Sequence, residues 1–453
     1  MKFTNLTRQT EIGANCYCLE SGAERFVLDS GMHPKEDGDA ALPLFDSLGG
    51  NEIDAIIISH AHQDHIGTLP VLMRRQPTAR VFMTEATAAI GDALLHNSVN
   101  VMRRQEPGML LFTHKEANRA ADLWRACRFR QPMSLAGDRL KNPNGRRVSF
   151  EFFDAGHVLG SAGVLLRSEG RAIFYSGDVN FDGQTIAQPA VFPESGIDAL
   201  IIETTRGDHA TPPNFTRTAE EKRFAEVIIG AFERGGCVLV PVFALGKTQE
   251  ILAMIYRLRR EKILGEFPLY IGGLSTKMTE IYDRFSLTSR RNFPRLQLLQ
   301  DIEPFTLNAD TIVDAPAKPG RIYALSSGMM TPKTLSNIFA RRVLEDPKHS
   351  IFFVGYADPE SPAGVLREAK SGDLIALDPD LPPQTLRCQV EKFQFSAHAT
   401  RESIVTYVKK LAPKKVVLVH GDLPAIEWVR AQLAKELPGT EVIVPPPGVE
   451  IEL

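Results

Sequence analysis

The chain has 453 residues, 43% of them hydrophobic, which is enough for two or three buried cores in an ordinary globular protein. A formal net charge of −3 argues against a broadly basic surface, although metal ions and a local cleft would still allow a nucleic-acid substrate. The five cysteines include no CxxC pair, which favours buried thiols in a reducing compartment.

The amino terminus lacks the apolar core of a signal peptide, and no apolar stretch approaches membrane-spanning length. The longest apolar runs, such as residues 198–202, have the length of a β-strand. The sequence therefore predicts a cytoplasmic protein with no membrane partner.

Short strand-like runs alternate with turns from the start of the chain to about residue 205. Each run ends in an acidic residue or a histidine, and in chain order these are Asp29, His60, His157, Asp178 and Glu203. In α/β enzymes the functional groups gather where strands end. This convergence predicts an active site at one edge of a sheet.

The pattern changes at Asp208. A Pro-Pro turn precedes a predicted helix with Thr218 as its N-cap, which ends at Gly235-Gly236, and a strand and a second helix (249–260) follow. Past about residue 395 the first pattern returns, with an apolar strand that ends in His420. We therefore expect one domain interrupted by another, with segments 1–207, 208–394 and 395–453.

Four metal-binding side chains occur within the run HAHQDH: His60, His62, Asp64 and His65. Imidazole and carboxylate are ligands that Zn²⁺ takes, and the spacing lets the first two face one ion while the last two turn toward a second. Taken singly, a later histidine is more often structural, but beside this run three more residues become candidate ligands: His157, Asp178 and His420. Two ions close together would make hydroxide available at neutral pH.

These motifs resemble the metallo-β-lactamase fold: HAHQDH, the segment AGHVLGSAG around His157, and SGD at Asp178. Three later segments resemble motifs A, B and C of the β-CASP nucleases, namely 203–205, 395–398 and 419–422. That family includes the mRNA 3′-end cleavage endonuclease and bacterial and archaeal RNases. The resemblance implies an α/β fold, an αββα sandwich with an inserted β-CASP cap domain.

The resemblance also implies a role for each motif residue. One zinc would be held by His60, His62 and His157, and a second by Asp64, His65 and His420, with Asp178 and a hydroxide bridging them. Asp29 would orient ligating histidines. His398, paired with Glu203, would be the general acid that protonates the leaving oxygen, with Asp64 also in the catalytic set. Histidine at motif C, here His420, favours RNA over DNA.

Three departures from the family pattern affect the expected substrate contacts. Where the family has Glu-Ser-Thr-Tyr-Gly, this chain has Glu-Thr-Thr-Arg-Gly at 203–207, with Arg206 in place of the tyrosine. Where the family has Ala-Asp after the motif B histidine, this chain has Ala399-Thr400 after His398. The glycine-threonine run of the family's cap domain corresponds to residues 362–367 here. The candidate phosphate contacts are Ser326, Ser327, Arg206 and Arg367. Gly246-Lys247-Thr248 is not a nucleotide-binding loop, because the required glycine five residues earlier is a proline.

The sequence therefore predicts a zinc-dependent ribonuclease with two Zn²⁺ that hydrolyses single-stranded RNA, mainly as an endonuclease and also as a 5′–3′ exonuclease. Two alternatives stay open: a metallohydrolase of small esters or thioesters, and a non-catalytic scaffold in an RNA-processing complex. A homodimer or a partner protein is compatible with the sequence as well.

Overall fold

The structure is a computed structural model that describes residues 1–50, 52–105, 110–145 and 147–453. The strands are β1 Lys2–Asn5, β2 Tyr17–Ser21, β3 Glu24–Leu28, β4 Ala55–Ile57, β5 Arg80–Thr84, β6 Trp124–Cys127, β7 Met133–Ser134, β8 Ser149–Asp154, β9 Ala162–Ser168, β10 Arg171–Tyr175, β11 Ala199–Glu203, β12 Val238–Pro241, β13 Leu269–Gly272, β14 Phe305–Leu307, β15 Ile322–Leu325, β16 Ser350–Phe353, β17 Leu374–Ile375, β18 Gln384–Thr385, β19 Gln389–Lys392, β20 Lys415–Val419, β21 Glu441–Ile443 and β22 Glu450–Glu452.

The helices are α1 Gln63–Ile66, α2 Leu69–Arg75, α3 Glu85–Gln105, α4 His114–Ala121, α5 Arg217–Glu233, α6 Lys247–Arg260, α7 Leu274–Arg284, α8 Leu298–Ile302, α9 Ala309–Ile312, α10 Leu335–Val343, α11 Pro362–Glu368, α12 Arg401–Leu411 and α13 Leu423–Glu436. The longest, α3, packs Leu95 and Val99 into a buried cluster. Within the described ranges, none of these helices has the length and apolarity needed to cross a bilayer.

The chain forms two compact units. The first contains 1–183, 189–211 and 398–453, and the second contains 184–188 and 212–397. The divisions at 211 and 397 lie a few residues from the predicted ones. The short segment 184–188 belongs to the second unit, although the sequence places it in the first.

The first unit is an αββα sandwich, as predicted for the fold class. Its two seven-stranded sheets have the orders β22-β1-β2-β3-β4-β5-β6 and β21-β20-β11-β10-β9-β8-β7. One apolar cluster lies between the sheets, a second lies between the first sheet and helices α2, α3 and α4, and a third lies between the second sheet and α12 and α13.

Strand β3 shows why these sequences form sandwiched strands. Phe26 and Leu28 point into the cluster between the sheets, whereas Val27 points into the cluster under the helices. All three are fully buried, so both faces of the strand are apolar. Such continuous apolar strands are typical of sheets covered on both sides. They bring the polar residues that follow them to the carboxyl ends of the sheet.

The second unit is built around a six-stranded parallel sheet of order β14-β13-β15-β12-β16-β19. The segment 184–188 is held to this unit by buried carboxylates. Glu250 accepts hydrogen bonds from the backbone N–H of Thr185 (2.6 Å) and Ile186 (2.9 Å), and Glu221 accepts one from the Thr185 hydroxyl (2.9 Å). Arg217 pairs with both carboxylates and offsets their burial.

Two helix starts in the second unit test local predictions. Helix α5 is capped by Thr216, whose hydroxyl accepts a hydrogen bond from the N–H of Ala219, so the prediction of Thr218 as the N-cap is wrong. Both threonines fit the capping pattern, and the actual turn geometry selects the earlier one. Gly246 is the N-cap of α6, and its N–H donates to the Gln249 side chain, as expected of a helix start rather than a nucleotide-binding loop.

Candidate metal centre

The loop after β4 carries the HAHQDH run, and it is held in place by the loop after β3 and by the segment before β2. The backbone N–H groups of Asn15, Ser30 and Met32 donate to the carbonyl oxygens of Asp64, His65 and Gln63, at 2.8–2.9 Å. Because the contacts are made by backbone groups, they fix the course of the ligand loop independently of its side chains.

Gly31 lies where these two loops touch. A Cβ at this position would be 1.8 Å from the carbonyl oxygen of Asp64, whose backbone is fixed by the bonds just described. Gly31→Ala is therefore expected to destabilise the protein by about 1–3 kcal/mol or more, as overpacking does, and to lower its metal content. Thermal unfolding and elemental analysis measure the two effects.

Gly50→Ala is the matched control, since a Cβ there meets no atom within 4 Å. Equal melting temperatures for the two variants would contradict the proposed backbone contact.

The first ligand cluster contains four mutually close groups: His60, His62, His157 and Asp178. His62 Nδ1 lies 3.1 Å from Nε2 of both His60 and His157, and Asp178 Oδ2 lies 3.5 Å from those same two nitrogens. Ligands at 2.0–2.1 Å from a four-coordinate ion are separated by about 3.3–3.4 Å along the edges of the tetrahedron. The spacing therefore fits one metal ion inside the cluster.

The second cluster contains Asp64, His65 and His420. Asp64 Oδ2 lies 3.2 Å from His420 Nε2 and 3.8 Å from His65 Nε2. The other ring nitrogen of His420, Nδ1, lies 3.1 Å from the Thr205 hydroxyl. This donor set of imidazole and carboxylate is again one that suits a borderline cation.

Asp178 connects the two clusters. Its Oδ2 faces the first cluster, whereas its Oδ1 lies 3.3 Å from His65 Nε2 and 2.9 Å from His420 Nδ1. Asp178 is 2% exposed, and its Oδ1 has no hydrogen bond of good geometry. A buried carboxylate oxygen is costly without a partner, so this orphan oxygen is evidence that the site is built for cations.

The protonation preferences of the histidines fit the same interpretation. Burial holds the pKa of His60 well below its ordinary value and lowers the pKa of His62 to about 4, so both present lone pairs. For His420, burial is outweighed by Asp178, and the pKa rises to about 10. A proton on His420 therefore supplies, beside the carboxylates of the second cluster, the positive charge that a bound metal ion would supply.

Asp29 is buried beneath the second cluster and fixes the orientation of one ligand. Its Oδ2 accepts hydrogen bonds from His65 Nδ1 (2.8 Å), the Ser59 hydroxyl (2.7 Å) and the Tyr175 hydroxyl (2.6 Å). With Nδ1 donating to Asp29, His65 turns Nε2 toward the other ligands. The structure thus places Asp29 where an orienting carboxylate is expected.

Tyr175→Phe removes only one of these bonds to Asp29. We expect the fold to persist and the metal affinity to fall by about 10-fold, the lower end of the loss seen when support for a ligating histidine is removed, because Tyr175 acts on His65 only through Asp29. Competition with a chromophoric chelator measures the change. Tyr407→Phe, which removes a buried tyrosine's bond to the Pro193 carbonyl, is the control. The same metal affinity in both variants would show that Tyr175 does not act through the ligands.

His398 lies beside the first cluster and is held by Glu203. Its Nδ1 is 3.1 and 3.2 Å from the two Glu203 oxygens and 3.9 Å from Asp178 Oδ2, and its ring centroid is 4.5 Å from that of His157. Burial, which disfavours the charged ring, is outweighed by Glu203, so the pKa of His398 is raised. The side chain is 22% exposed and can reach a bound substrate.

The predicted substrate contacts are dispersed. Arg206 is half-buried; burial lowers its pKa, and Asp182 and Glu402 oppose that shift. Ser326 and Ser327 follow β15 in the second unit, and Arg367 lies in α11, where its guanidinium donates to the Gly355 carbonyl. Thr400 caps α12 through the N–H of Ser403, a role that threonine and aspartate share.

Sequence reasoning missed several residues that support the ligands. These are Ser59, which bonds to Asp29; Tyr17, which donates to Asn15; and Thr205, Tyr175 and Asn15 itself. Tyr17 and Tyr175 look like ordinary apolar strand residues in the sequence. For Tyr175 the available signal was a hydroxyl at the last position of a strand that leads directly into a ligand loop; Tyr17, at the start of its strand, offered no such signal.

Comparison with known families supports this site. Residues 10–107 match the metallo-beta-lactamase superfamily, 248–366 match the Beta-Casp domain, and 384–445 match the Zn-dependent metallo-hydrolase RNA specificity domain. Together these matches cover more than half of the chain, and they include most of the ligand loops.

Individual relatives are similar over the whole length. Endoribonuclease YSH1 of Saccharomyces cerevisiae is 27% identical over 100% of this chain and 59% of its own length. An RNase J-like protein of Methanocaldococcus jannaschii is 29% identical over 91% of this chain and 90% of its own length. The chain spans about 60% of the length of the first eukaryotic relatives that it matches.

A crystal structure of a protein of unknown function from Enterococcus faecalis has the same fold. It covers 100% of this chain and 99% of its own, with a TM-score of 0.57 at 13% identity. With three successive domain matches, the chain belongs to the metallo-β-lactamase superfamily, as a member with Beta-Casp and RNA specificity domains.

Proposed function

We propose that the protein is an endoribonuclease that holds two zinc ions and hydrolyses phosphodiester bonds of single-stranded RNA. The observation that carries the proposal is the pair of ligand clusters joined by Asp178, with the His398–Glu203 pair at their edge. RNA is favoured because the match to the RNA specificity domain includes both His398 and His420. The names of the yeast and archaeal relatives support the same substrate class.

The seven ligands would be shared between two metal ions. His60, His62 and His157 would hold one ion, Asp64, His65 and His420 the other, and Asp178 would touch both. When bound, two such ions lower the pKa of water and withdraw charge from the phosphate. Asp29 would keep His65 in the tautomer that presents Nε2.

His398 would supply the proton that the reaction requires. Water loses one proton to the solvent and adds to phosphorus as the bond to the leaving oxygen breaks. That oxygen takes the proton from Nε2 of His398, and the ring then regains a proton from the solvent. Glu203 holds the opposite ring nitrogen, Nδ1, and stabilises the protonated ring before transfer. The products are two RNA fragments, one ending in a phosphate and the other in a hydroxyl.

Elemental mass spectrometry of the purified protein, combined with a cleavage assay, tests the proposal. A single-stranded RNA labelled at both ends is compared with DNA of the same sequence. Two zinc ions per chain and internal cuts in RNA alone are expected. Fragments released only from the 5′ end would replace the endonuclease with an exonuclease. Two ions with no cut in either polymer would favour a small ester as substrate.

The cysteines support the proposed cytoplasmic location. All five are free and buried, which suits a compartment that keeps thiols reduced. Burial also raises the pKa of Cys237 and Cys388 to about 12, so neither is a reactive thiolate.

A further inference from the structure

Basic residues are concentrated in one segment of the first unit, between β6 and β8. Residues 125–147 contain seven of the 52 lysines and arginines and one acidic residue, Asp138, although the whole chain has a net charge of −3. Six of these cations are exposed, and five of the six form no ion pair within the described part of the chain. We call these five the basic edge: Arg125, Arg128, Arg139, Lys141 and Arg147.

The other two cations are not part of this group. Arg130 lies 3.5 Å from Glu151, and its guanidinium lies 4.0 Å from the centre of the Phe153 ring. Its charge is therefore already partly neutralised. Arg146 lies outside the described residues.

The basic edge follows one side of the sandwich. Strand β6 is the last strand of the first sheet, and β7 is the last strand of the second. The chain between them is tied to both: the N–H of Arg130 donates to the Phe152 carbonyl in β8 (2.9 Å), and the Arg125 guanidinium donates to the Ala136 carbonyl (3.2 Å). The cations therefore extend from an ordered backbone rather than from a loose loop.

Two of these cations are close neighbours. The Arg125 guanidinium donates to the Ala136 carbonyl at 3.2 Å, and Arg139 follows three residues later, where it forms a β-bridge with Met133. Like charges held together without acidic partners repel one another, and an anion that binds between them relieves the repulsion.

A structural role does not account for the whole group. Charged side chains on edge strands prevent pairing with another sheet. Only Arg125 lies within a strand, however; Arg139 forms an isolated bridge with Met133, and the other three lie in the connections that follow β6 and β7. Cations in turns protect no row of unpaired backbone groups.

We propose that the basic edge binds the phosphate backbone of single-stranded RNA along the side of the sandwich that leads to the metal centre. This inference rests on the proposed function. Arg128 follows β6, which is two strands from β4, the strand that leads into the ligand loop, so their lateral separation is about 10 Å. Arg147 precedes β8, whose opposite end leads to His157, so from Arg128 the basic edge extends along the strands away from the metal centre. Phosphate contacts position a nucleic acid without reading its sequence. Such phosphate contacts would allow a chain of net negative charge to bind RNA at this one surface.

The test compares two triple variants of equal charge. Arg128→Gln/Arg139→Gln/Lys141→Gln alters the basic edge, and Lys222→Gln/Lys262→Gln/Lys318→Gln alters exposed cations of the second unit. Binding of a fluorescent RNA of about 16 nucleotides, the upper range for one single-strand site, is measured at several salt concentrations in the zinc-loaded His398→Ala background. Hydrolysis of bis(p-nitrophenyl) phosphate, measured without that background change, reports the metal centre alone.

Each phosphate contact to a single strand contributes about 0.7 to the slope of log affinity against log salt, so losing three lowers the slope by about 2. We expect this change and at least about tenfold weaker binding at low salt for the first variant, with the control unchanged. Both variants should hydrolyse the small phosphodiester at the wild-type rate.

An unchanged salt slope and RNA affinity in the basic-edge variant would overturn the inference. These cations would then be assigned to contact with an acidic protein partner instead of RNA. If the wild type hydrolyses the small phosphodiester but neither binds nor cuts RNA, the proposed function fails, and the inference fails with it.

Discussion

Replacing Asp64 with alanine is expected to reduce RNA hydrolysis to the uncatalysed background while the protein stays folded. Asp64 supplies the only carboxylate that belongs to the second cluster alone, with Oδ2 3.2 Å from His420 Nε2. Without it, two histidines and a share of Asp178 remain, which is too few ligands for a tightly held ion. The Asp64 side chain is 22% exposed, so its removal leaves no large cavity. Metal content should fall from two ions per chain toward one.

Turnover of RNA and of bis(p-nitrophenyl) phosphate, together with elemental analysis and thermal unfolding, measures these changes. Asp122→Ala is the matched control, because it removes an exposed carboxylate of the same unit that touches no ligand. Appreciable turnover by the Asp64 variant after complete removal of metal would contradict the two-metal mechanism.

Much of the centre could be predicted because its ligands are carried by local patterns. The HAHQDH run places four donor groups on one loop, and buried strands bring Asp178, Glu203 and His420 to the same end of their sheet. Parallel pairing of β10, β11 and β20 follows from their apolar, two-sided burial. Donor type and position at a strand end thus predict which side chains meet.

The supporting residues could not be predicted in the same way, because their roles depend on contacts between distant segments. The Tyr175 hydroxyl reaches Asp29 across the two sheets of the sandwich. The segment 184–188 joins the second unit through distant contacts, among them the bonds from its backbone N–H groups to the buried carboxylate of Glu250. Neither partner has a sequence signature that points to the other. The choice of Thr216 over Thr218 as an N-cap depends on one turn, which local propensity does not resolve.

Replacing His398 with alanine is expected to slow RNA cleavage by about 10²–10⁴-fold, the usual contribution of a general acid, with both metal ions retained. The ring lies 3.9 Å from Asp178 through Nδ1, but Glu203 holds that nitrogen at 3.1 Å, so His398 is not needed to complete either ligand cluster. A general acid matters most when the leaving group is a poor one, such as the alkoxide of an RNA sugar. We therefore expect a much smaller effect on bis(p-nitrophenyl) phosphate, because p-nitrophenolate leaves without a proton.

The ratio of these two effects separates a proton donor from a residue that only shapes the site. Rates for RNA and for the small phosphodiester are compared in wild type, His398→Ala and the control His209→Ala, which removes a histidine whose side chain is 63% exposed. A loss that is equal on both substrates, with normal metal content, would show that His398 positions other groups and does not protonate the leaving oxygen. A loss confined to RNA assigns the proton to His398, since only the leaving group differs in its need for one.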